Sequence, residues 1–338
     1  MILKERLNAF ITLGEQLQKL EKSHLNNLYQ NAQAHNSWFS EREVKASLNG
    51  LISYLEEKNL RNWIAEYKIS DNQTPKKVGV IMAGNIPMVG IHDFITVLLS
   101  GNILLAKLSS QDPFLIKEIA RMLVEIAPKF SKQIEFVEQM KEIDAIIATG
   151  SNNTARYFEH YFSKYPNVIR KNRSSCAVLK GDETVEILKK LSDDILQYYG
   201  LGCRNVSKVF IPKDFKKEFL MEALEESSKA ALQNHKYANN YDYNKSIYLL
   251  NQVPHLDNGF LMLTESEVLV SPISVLYYEY YENETELNEK LKEVQNEIQC
   301  IVSHNAWWEN SVDFGKAQCP TISDYADNVD TMDFLLEL

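Results

Sequence analysis

The sequence predicts an α/β protein with two lobes, each a mostly parallel sheet flanked by helices, behind a helical N-terminal segment. Two observations carry this reading. From about residue 78 onward, short apolar runs rich in β-branched residues alternate with amphipathic stretches of helix length, the pattern of a parallel sheet covered on both faces. Residues 1–68 lack such runs and keep an apolar period near 3.6, which is helical. A chain of 338 residues is also long enough for two cores, and the lobes are expected to meet near residue 175, with a separate tail over 319–338.

Taken in order, "SEREV" from Ser40 has the spacing of a capping box before a helical run that continues to about residue 67. The polar loop "DNQTPKK" follows, and then strands are expected at 78–84, 102–108, 133–138, 144–150 and 176–181. Helices fall between them, from about 113 and about 152. Beyond 181 the reading is a helix over 183–199, a strand at 207–212, and a helix through "FKKEFLMEALEESSKAALQ". An irregular loop is read at 234–244, strands near 246–250 and 268–280, a helix near 284–296 and a strand at 298–303.

The net charge of -10, without a basic stripe, argues against nucleic acid and anionic membrane as partners and favours a small-molecule substrate. The four cysteines are far apart and lack metal-ligand spacing, so reduced thiols, no metal and a cytoplasmic location are expected. The N-terminus has charges inside its apolar pattern, unlike a signal peptide. The most apolar stretch, 78–108, is interrupted by polar residues too often to span a membrane.

Four turns could carry chemistry. Cys203 sits in "GLGCR" between a helix-like and a strand-like segment, where flanking glycines let a substrate approach and backbone N–H groups favour a thiolate. A buried structural thiol explains the same letters. Asn85, in "AGNIP" at a strand end, has a side-chain amide suited to an oxyanion, although asparagine is also an ordinary turn residue. "ATGSNN" opens a helix at Ser151, where a phosphate would find free N–H groups or Ser151 a plain N-cap. Lys107 closes an apolar strand and needs a partner or a route to solvent. The aromatic clusters "YYEYY" (277–281) and "AWW" (306–308) read as packing, because no basic residues interleave them.

The succession "GNIP", "AKLSSQDPF", "ATGS", "GLGC" resembles the aldehyde dehydrogenase superfamily. Within it, "AGNIPMVGIHDFITVLLSGNILLAKLSSQDPF" is similar to the LuxC-type acyl-CoA reductases. The resemblance is good over roughly 78–212, thinner at "ESEVLVSPISVLYYEY" and in the C-terminal tail, and absent from the N-terminal helices. It implies an aldehyde-dehydrogenase-like fold in which residues 1–174 hold the N-terminal helices and a nicotinamide-cofactor domain, and 175–318 a catalytic cysteine domain. Cys203 matches the nucleophile that takes the acyl group as a thioester, and Asn85 matches the amide of the oxyanion hole. Thr149, Gly150 and Ser151 match the turn bordering the nicotinamide and pyrophosphate, and Lys107 the lysine on the adenosine ribose. Ser110 stands where NAD-preferring members place an acidic residue, which favours NADPH over NAD. Glu267 matches the nicotinamide-ribose glutamate one residue out of register.

The base that activates water in oxidising members has no counterpart in "VIRKNRSS" (168–175). The resemblance therefore implies NADPH-dependent reduction of an acyl-CoA to an aldehyde, with coenzyme A as part of the substrate and a homodimer as the assembly. The neighbouring alternatives are a coenzyme A-acylating aldehyde dehydrogenase and an acyl-phosphate reductase. A non-catalytic scaffold subunit of the same fold and a thiol acyltransferase that uses no nicotinamide are the alternatives from other classes.

Overall fold

The apolar stripes of the N-terminal residues come together in four helices of the computed structural model, α1 (Leu3–Gln18), α2 (Lys22–His35), α3 (Glu41–Leu55) and α4 (Glu57–Ala65). All 338 residues are described. Along α1 the residues Leu7, Phe10, Leu13 and Leu17 are buried, and along α3 Val44, Leu48, Leu51 and Leu55, the i, i+3, i+4 spacing of a core-facing stripe. Ser40 is the N-cap of α3, but its side chain makes no capping hydrogen bond. The expected capping box is therefore not formed, and the Glu43 N–H is taken by the Ser40 carbonyl at 3.0 Å instead.

Two units divide the chain, residues Met1–Asn172 with Pro320–Leu338, and residues Arg173–Cys319. In the first, β1 (Lys77–Ile81), α5 (Ile91–Ser100), β2 (Ile103–Lys107), α6 (Leu115–Ile126), β3 (Ile134–Phe136), β4 (Ala145–Thr149), α7 (Asn152–Phe162) and β5 (Asn167–Arg170) alternate as expected. The sheet order is β3-β2-β1-β4-β5, and every pairing is parallel. Strands β1, β2 and β4 are apolar and buried along their centres, as sheets covered on both faces require. The expected strand 78–84 ends at Ile81 because the chain leaves the sheet for a turn. β5 has only four residues at the sheet edge and no alternation strong enough to announce it. The C-terminal segment packs on this unit. Its helix α13, Thr331–Leu336, buries Met332 and Leu335, and the Tyr67 hydroxyl bonds both Tyr325 and Asp330 at 2.7 Å.

The second unit contains β6 (Ser174–Val178), α8 (Val185–Leu188), α9 (Leu191–Leu196), β7 (Val206–Pro212), α10 (Lys217–Ala231), α11 (His235–Leu250), β8 (Leu256–Asp257), β9 (Met262–Glu265), β10 (Val275–Tyr281), α12 (Glu284–Glu293), β11 (Ile298–Ser303) and β12 (Ser311–Val312). Its sheet runs β12-β11-β6-β7-β10-β9-β8 and is parallel except at the β8–β9 edge.

Four sequence expectations need correction here. The helix over 183–199 is two short helices and a 3₁₀ turn. The loop at 234–244 and the strand at 246–250 are one helix, α11. Asn234 caps it by accepting the Lys236 N–H at 2.9 Å, and its inward face is Tyr237, Tyr241 and Asn244, a helical period hidden in polar-looking letters. The strand over 268–280 begins only at Val275, since Pro272 has no N–H to give and Ser274 has a φ of 64°.

Candidate active site

In the first unit the strand order places the chain's reversal between β1 and β4, because β2 and β3 extend one side of β1 and β4 and β5 the other. Ligands of open parallel sheets bind outside the carboxyl ends of strands at such a point. Register brings those ends level, with Ile81 opposite both Lys107 and Ala148. Asn85 lies in the turn after β1, Lys107 ends β2 with Ser110 in the turn behind it, and Thr149 ends β4 with Gly150 and Ser151 following.

The turn holding Asn85 is braced from three sides. Gly84 lies against the loop after β2 so closely that a Cβ there would stand 2.6 Å from the Ser109 Cβ. Ser47 of α3 donates its hydroxyl to the Pro87 carbonyl at 2.7 Å. Asp112 takes the Met88 N–H on one carboxylate oxygen at 2.8 Å and the Leu115 N–H on the other at 3.3 Å, and Met88 is held at a φ of 55°. Burial pushes the Asp112 carboxyl above its ordinary value, opposed by those N–H bonds. This aspartate ties the Asn85 turn to the start of α6. No local pattern marks it, because the N-cap position of α6 is Phe114 and Asp112 stands two residues earlier.

Lys107 is half-buried at the end of β2 and Ser110 is exposed. Between them and α6 the one carboxylate, Asp112, is turned inward on backbone N–H groups. Ser151 is the N-cap of α7, accepting the Thr154 N–H at 3.2 Å, and Gly150 donates to the Arg170 carbonyl at 3.3 Å. Arg170, at the end of β5, is buried and forms a bidentate pair with Asp93 of α5 at 2.6 and 3.0 Å. It also donates to the Thr331 hydroxyl at 3.0 Å. One arginine thus joins the Gly150 turn, α5 and the C-terminal helix. The partly buried Lys107 ammonium, the N–H groups opening α7 and the exposed Ser110 are groups that could donate to the phosphates and ribose of a dinucleotide.

In the second unit Cys203 is exposed, whereas Cys176 and Cys300 are buried, and burial pushes the Cys176 thiol well up. The reading of Cys203 as a buried structural thiol is therefore excluded. Its turn enters through Tyr198, Tyr199 and Gly200, all left-handed at φ of 52°, 57° and 78°. For a residue with a Cβ that conformation costs about 1–2 kcal/mol, and the two tyrosines are kept in it with their side chains buried. Asn205 closes the turn. Its Oδ1 accepts the Gly202 N–H at 2.8 Å, and its Nδ2 faces the carbonyls of Asp194, Ile195 and Gln197 at 3.1, 3.3 and 2.8 Å. Ser175 of β6 donates its hydroxyl to the Cys203 carbonyl at 3.0 Å. Asp194 itself accepts the N–H groups of Gly315 and Ala317 at 2.6 and 2.9 Å, and burial pushes its carboxyl up to about 7.

Glu267 is exposed in the loop between β9 and β10. Its carbonyl accepts a bond from Lys208 at 2.8 Å, and Lys208, fully buried on β7, also pairs with Glu279. Six of the sequence-singled residues (Asn85, Lys107, Ser110, Thr149, Gly150 and Ser151) thus share the first unit, five of them around neighbouring strand ends and Ser110 three residues further on. Cys203 and Glu267 belong to the second. Asp112, Arg170 and Asn205 were not anticipated.

The model of the family described as "Acyl-CoA reductase (LuxC)" matches residues 6–242. The chain belongs to this family. The match includes the N-terminal helices, which corrects the expectation that the resemblance does not reach them. It ends within α11, before the segment around Glu267. A curated relative, a long-chain acyl-protein thioester reductase of Photorhabdus laumondii, is 21% identical over 180 residues, covering 48% of this chain. The chain spans only 38% of that relative's length. Among solved structures, the fold is similar to an aldehyde dehydrogenase of Bacillus cereus in complex with NAD+, with a TM-score of 0.65 and 15% identity over 90% of this chain and 72% of that one. It is likewise similar to an aldehyde dehydrogenase of Burkholderia cenocepacia, described as putative, with a TM-score of 0.67 and 16% identity over 90% and 74%. These likenesses establish the aldehyde-dehydrogenase-like fold. No helix is long and apolar enough to cross a membrane.

Proposed function

We propose that the protein reduces an acyl-CoA thioester to the aldehyde through a covalent intermediate on Cys203, with NADPH as reductant. The observation that carries this reading is the exposed thiol of Cys203 on a strained, fully braced turn in a member of the acyl-CoA reductase family. The Cys203 thiolate attacks the acyl carbonyl carbon. The oxyanion is assigned to the Cys203 backbone N–H, with the Asn85 side-chain amide as the second donor that the family resemblance implies, and the carbon–sulfur bond to coenzyme A breaks, leaving coenzyme A as thiolate and the acyl group on Cys203. A nicotinamide, when bound, would supply a hydride to the acyl carbon, and Cys203 would then leave as thiolate to release the aldehyde. Splitting one hard displacement into two easier steps is the general advantage of a covalent nucleophile.

Lys107 and the Ser151 N–H would hold the cofactor's ribose and pyrophosphate, with Thr149 and Gly150 bordering them, and Glu267 is the residue that the family resemblance gives to the nicotinamide ribose. The exposed Ser110 and the inward carboxylate of Asp112 leave no negative side chain to repel a 2′-phosphate, which supports NADPH over NADH. The assembly we propose is a homodimer in the cytoplasm.

Initial rates with acyl-CoA, acyl phosphate and free aldehyde plus coenzyme A, each with NADPH and NADH, test the reading. The expected result is NADPH oxidation driven by acyl-CoA, abolished in Cys203→Ala. Turnover in Cys203→Ala, or NADPH oxidation with none of the donors, would contradict it.

A further inference from the structure

We infer that Asn205 is a positioning residue for the nucleophile, setting the direction of the Cys203 backbone N–H and thiol through its carboxamide. The inference rests on the proposed role of Cys203 and goes beyond it, since Asn205 touches no reacting atom.

The carboxamide is buried, and both of its ends are engaged. It links the two sides of the turn, gripping the Asp194, Ile195 and Gln197 carbonyls where α9 ends and the Gly202 N–H directly before the cysteine. Its backbone completes the grip, with the Asn205 N–H on the Gly202 carbonyl at 3.1 Å and the Asn205 carbonyl on the Ser175 N–H at 3.1 Å. The Gly202 carbonyl and the Cys203 N–H belong to one planar trans peptide, so they point in opposite directions. The Asn205 backbone N–H holds that carbonyl and so aims the Cys203 N–H away from Asn205, while the carboxamide fixes the preceding peptide through the Gly202 N–H and thereby sets where the Gly202–Cys203 peptide stands. On the far side of the same residue, the Ser175 hydroxyl fixes the Cys203 carbonyl. The left-handed run Tyr198 to Gly200 would relax if the clamp opened, because nothing in its intrinsic preference keeps it there.

The chemistry specifies asparagine. An aspartate of the same shape accepts from Gly202 but offers no donor to three carbonyl oxygens and sets a negative charge among them. An alanine removes both ends of the clamp.

The test uses the full chain as Asn205→Asp, with Asn205→Ala read in the same way if the first does not fold. The control is Asn244→Ala, which removes another buried asparagine of the same unit, one whose Nδ2 holds only the Ile273 carbonyl at 3.0 Å. Three readouts are taken. They are the single-turnover rate of acyl transfer from acyl-CoA to Cys203 across concentrations, the pH profile of Cys203 alkylation by iodoacetamide read on its own peptide, and the melting temperature. In Asn205→Asp the saturating acylation rate falls about 30-fold or more while the half-saturating concentration stays within about threefold, and the alkylation midpoint moves. Asn244→Ala lowers the melting temperature and moves neither.

Acylation of Asn205→Asp within about threefold of wild type, or an equal loss in Asn244→Ala, overturns the inference. Failure of the wild type to acylate at all refutes the proposed function instead. The alkylation profile then decides, and coincident midpoints for wild type and Asn205→Asp overturn the positioning role.

Discussion

Gly84→Ala isolates the geometry of the Asn85 turn with a single methyl group. The backbone of Gly84 is not left-handed, so alanine is conformationally allowed and the perturbation is purely steric. The added Cβ would stand 2.6 Å from the Ser109 Cβ, 2.7 Å from its Oγ and 3.1 Å from the Asp112 amide nitrogen. Carbon atoms in ordinary contact are about 3.5–4.0 Å apart, so the loops after β1 and β2 must separate by about 1 Å. Overpacking on that scale costs about 1–3 kcal/mol of stability. Asn85 is the adjacent residue and moves with the loop. A displacement of about 1 Å at a reacting group costs about 100-fold in rate, within the range of about 10²–10³ for deleting one oxyanion donor. The assay is kcat for acyl-CoA-driven NADPH oxidation, beside Asn85→Ala as the floor. Ser109→Gly removes the two nearest atoms, so Gly84→Ala/Ser109→Gly should recover to within about tenfold of Ser109→Gly alone, a coupling read as a double-mutant cycle. Gly84→Ala retaining kcat within about threefold of wild type, or a loss that Ser109→Gly does not restore, would refute the reasoning.

Arg170→Met leaves the Asp93 carboxylate buried without its cation, and removing one member of a buried pair costs about 3–5 kcal/mol, so the first unit should unfold at distinctly lower urea in tryptophan fluorescence. Ser110→Glu sets a carboxylate in the exposed position beside Lys107 and should shift the ratio of kcat/KM for NADPH over NADH toward NADH by about tenfold or more. Asp194 has its carboxyl raised from 3.8 to about 7 in the folded chain. The folded state therefore binds the extra proton between those values, and this group's stability contribution is full below pH 3.8 and lost as pH rises through about 7. At about 1.4 kcal/mol per pKa unit that is on the order of 4 kcal/mol. Asp194→Asn should flatten the decline in denaturation midpoint between pH 5 and pH 8, and an unchanged slope would contradict the assignment. Light scattering should give twice the chain mass for the proposed homodimer.

The parts of the fold visible in the sequence were those whose signal is local. Apolar β-branched runs announced β1, β2, β4 and β7, and glycine-bearing turns at their ends marked Asn85, Gly150 and Cys203. The failures share one physical cause, that the stabilising partner lies far along the chain or hides behind a polar letter. Arg170 and Asp93 are separated by 77 residues, so nothing local marks either as half of a buried pair. Asp112 reads as a loop aspartate until the Met88 N–H arrives from 24 residues away. Helix α11 buries two tyrosines and an asparagine in place of an apolar stripe, and its cap, Asn234, is a residue type that loops also use. In "GLGCRNV" nothing local marks the asparagine that shapes the cysteine's turn, because its contacts with the end of α9 exist only once the turn has folded.

The central claim is that Cys203 becomes acylated and is discharged by hydride. Intact-mass measurement after mixing the protein with an acyl-CoA tests it most directly. The account predicts one added acyl group, mapped to the Cys203 peptide, absent from Cys203→Ala and lost with release of aldehyde when NADPH is added. An acyl group carried on another residue, or one on Cys203 that persists in the presence of both NADPH and NADH, would contradict it.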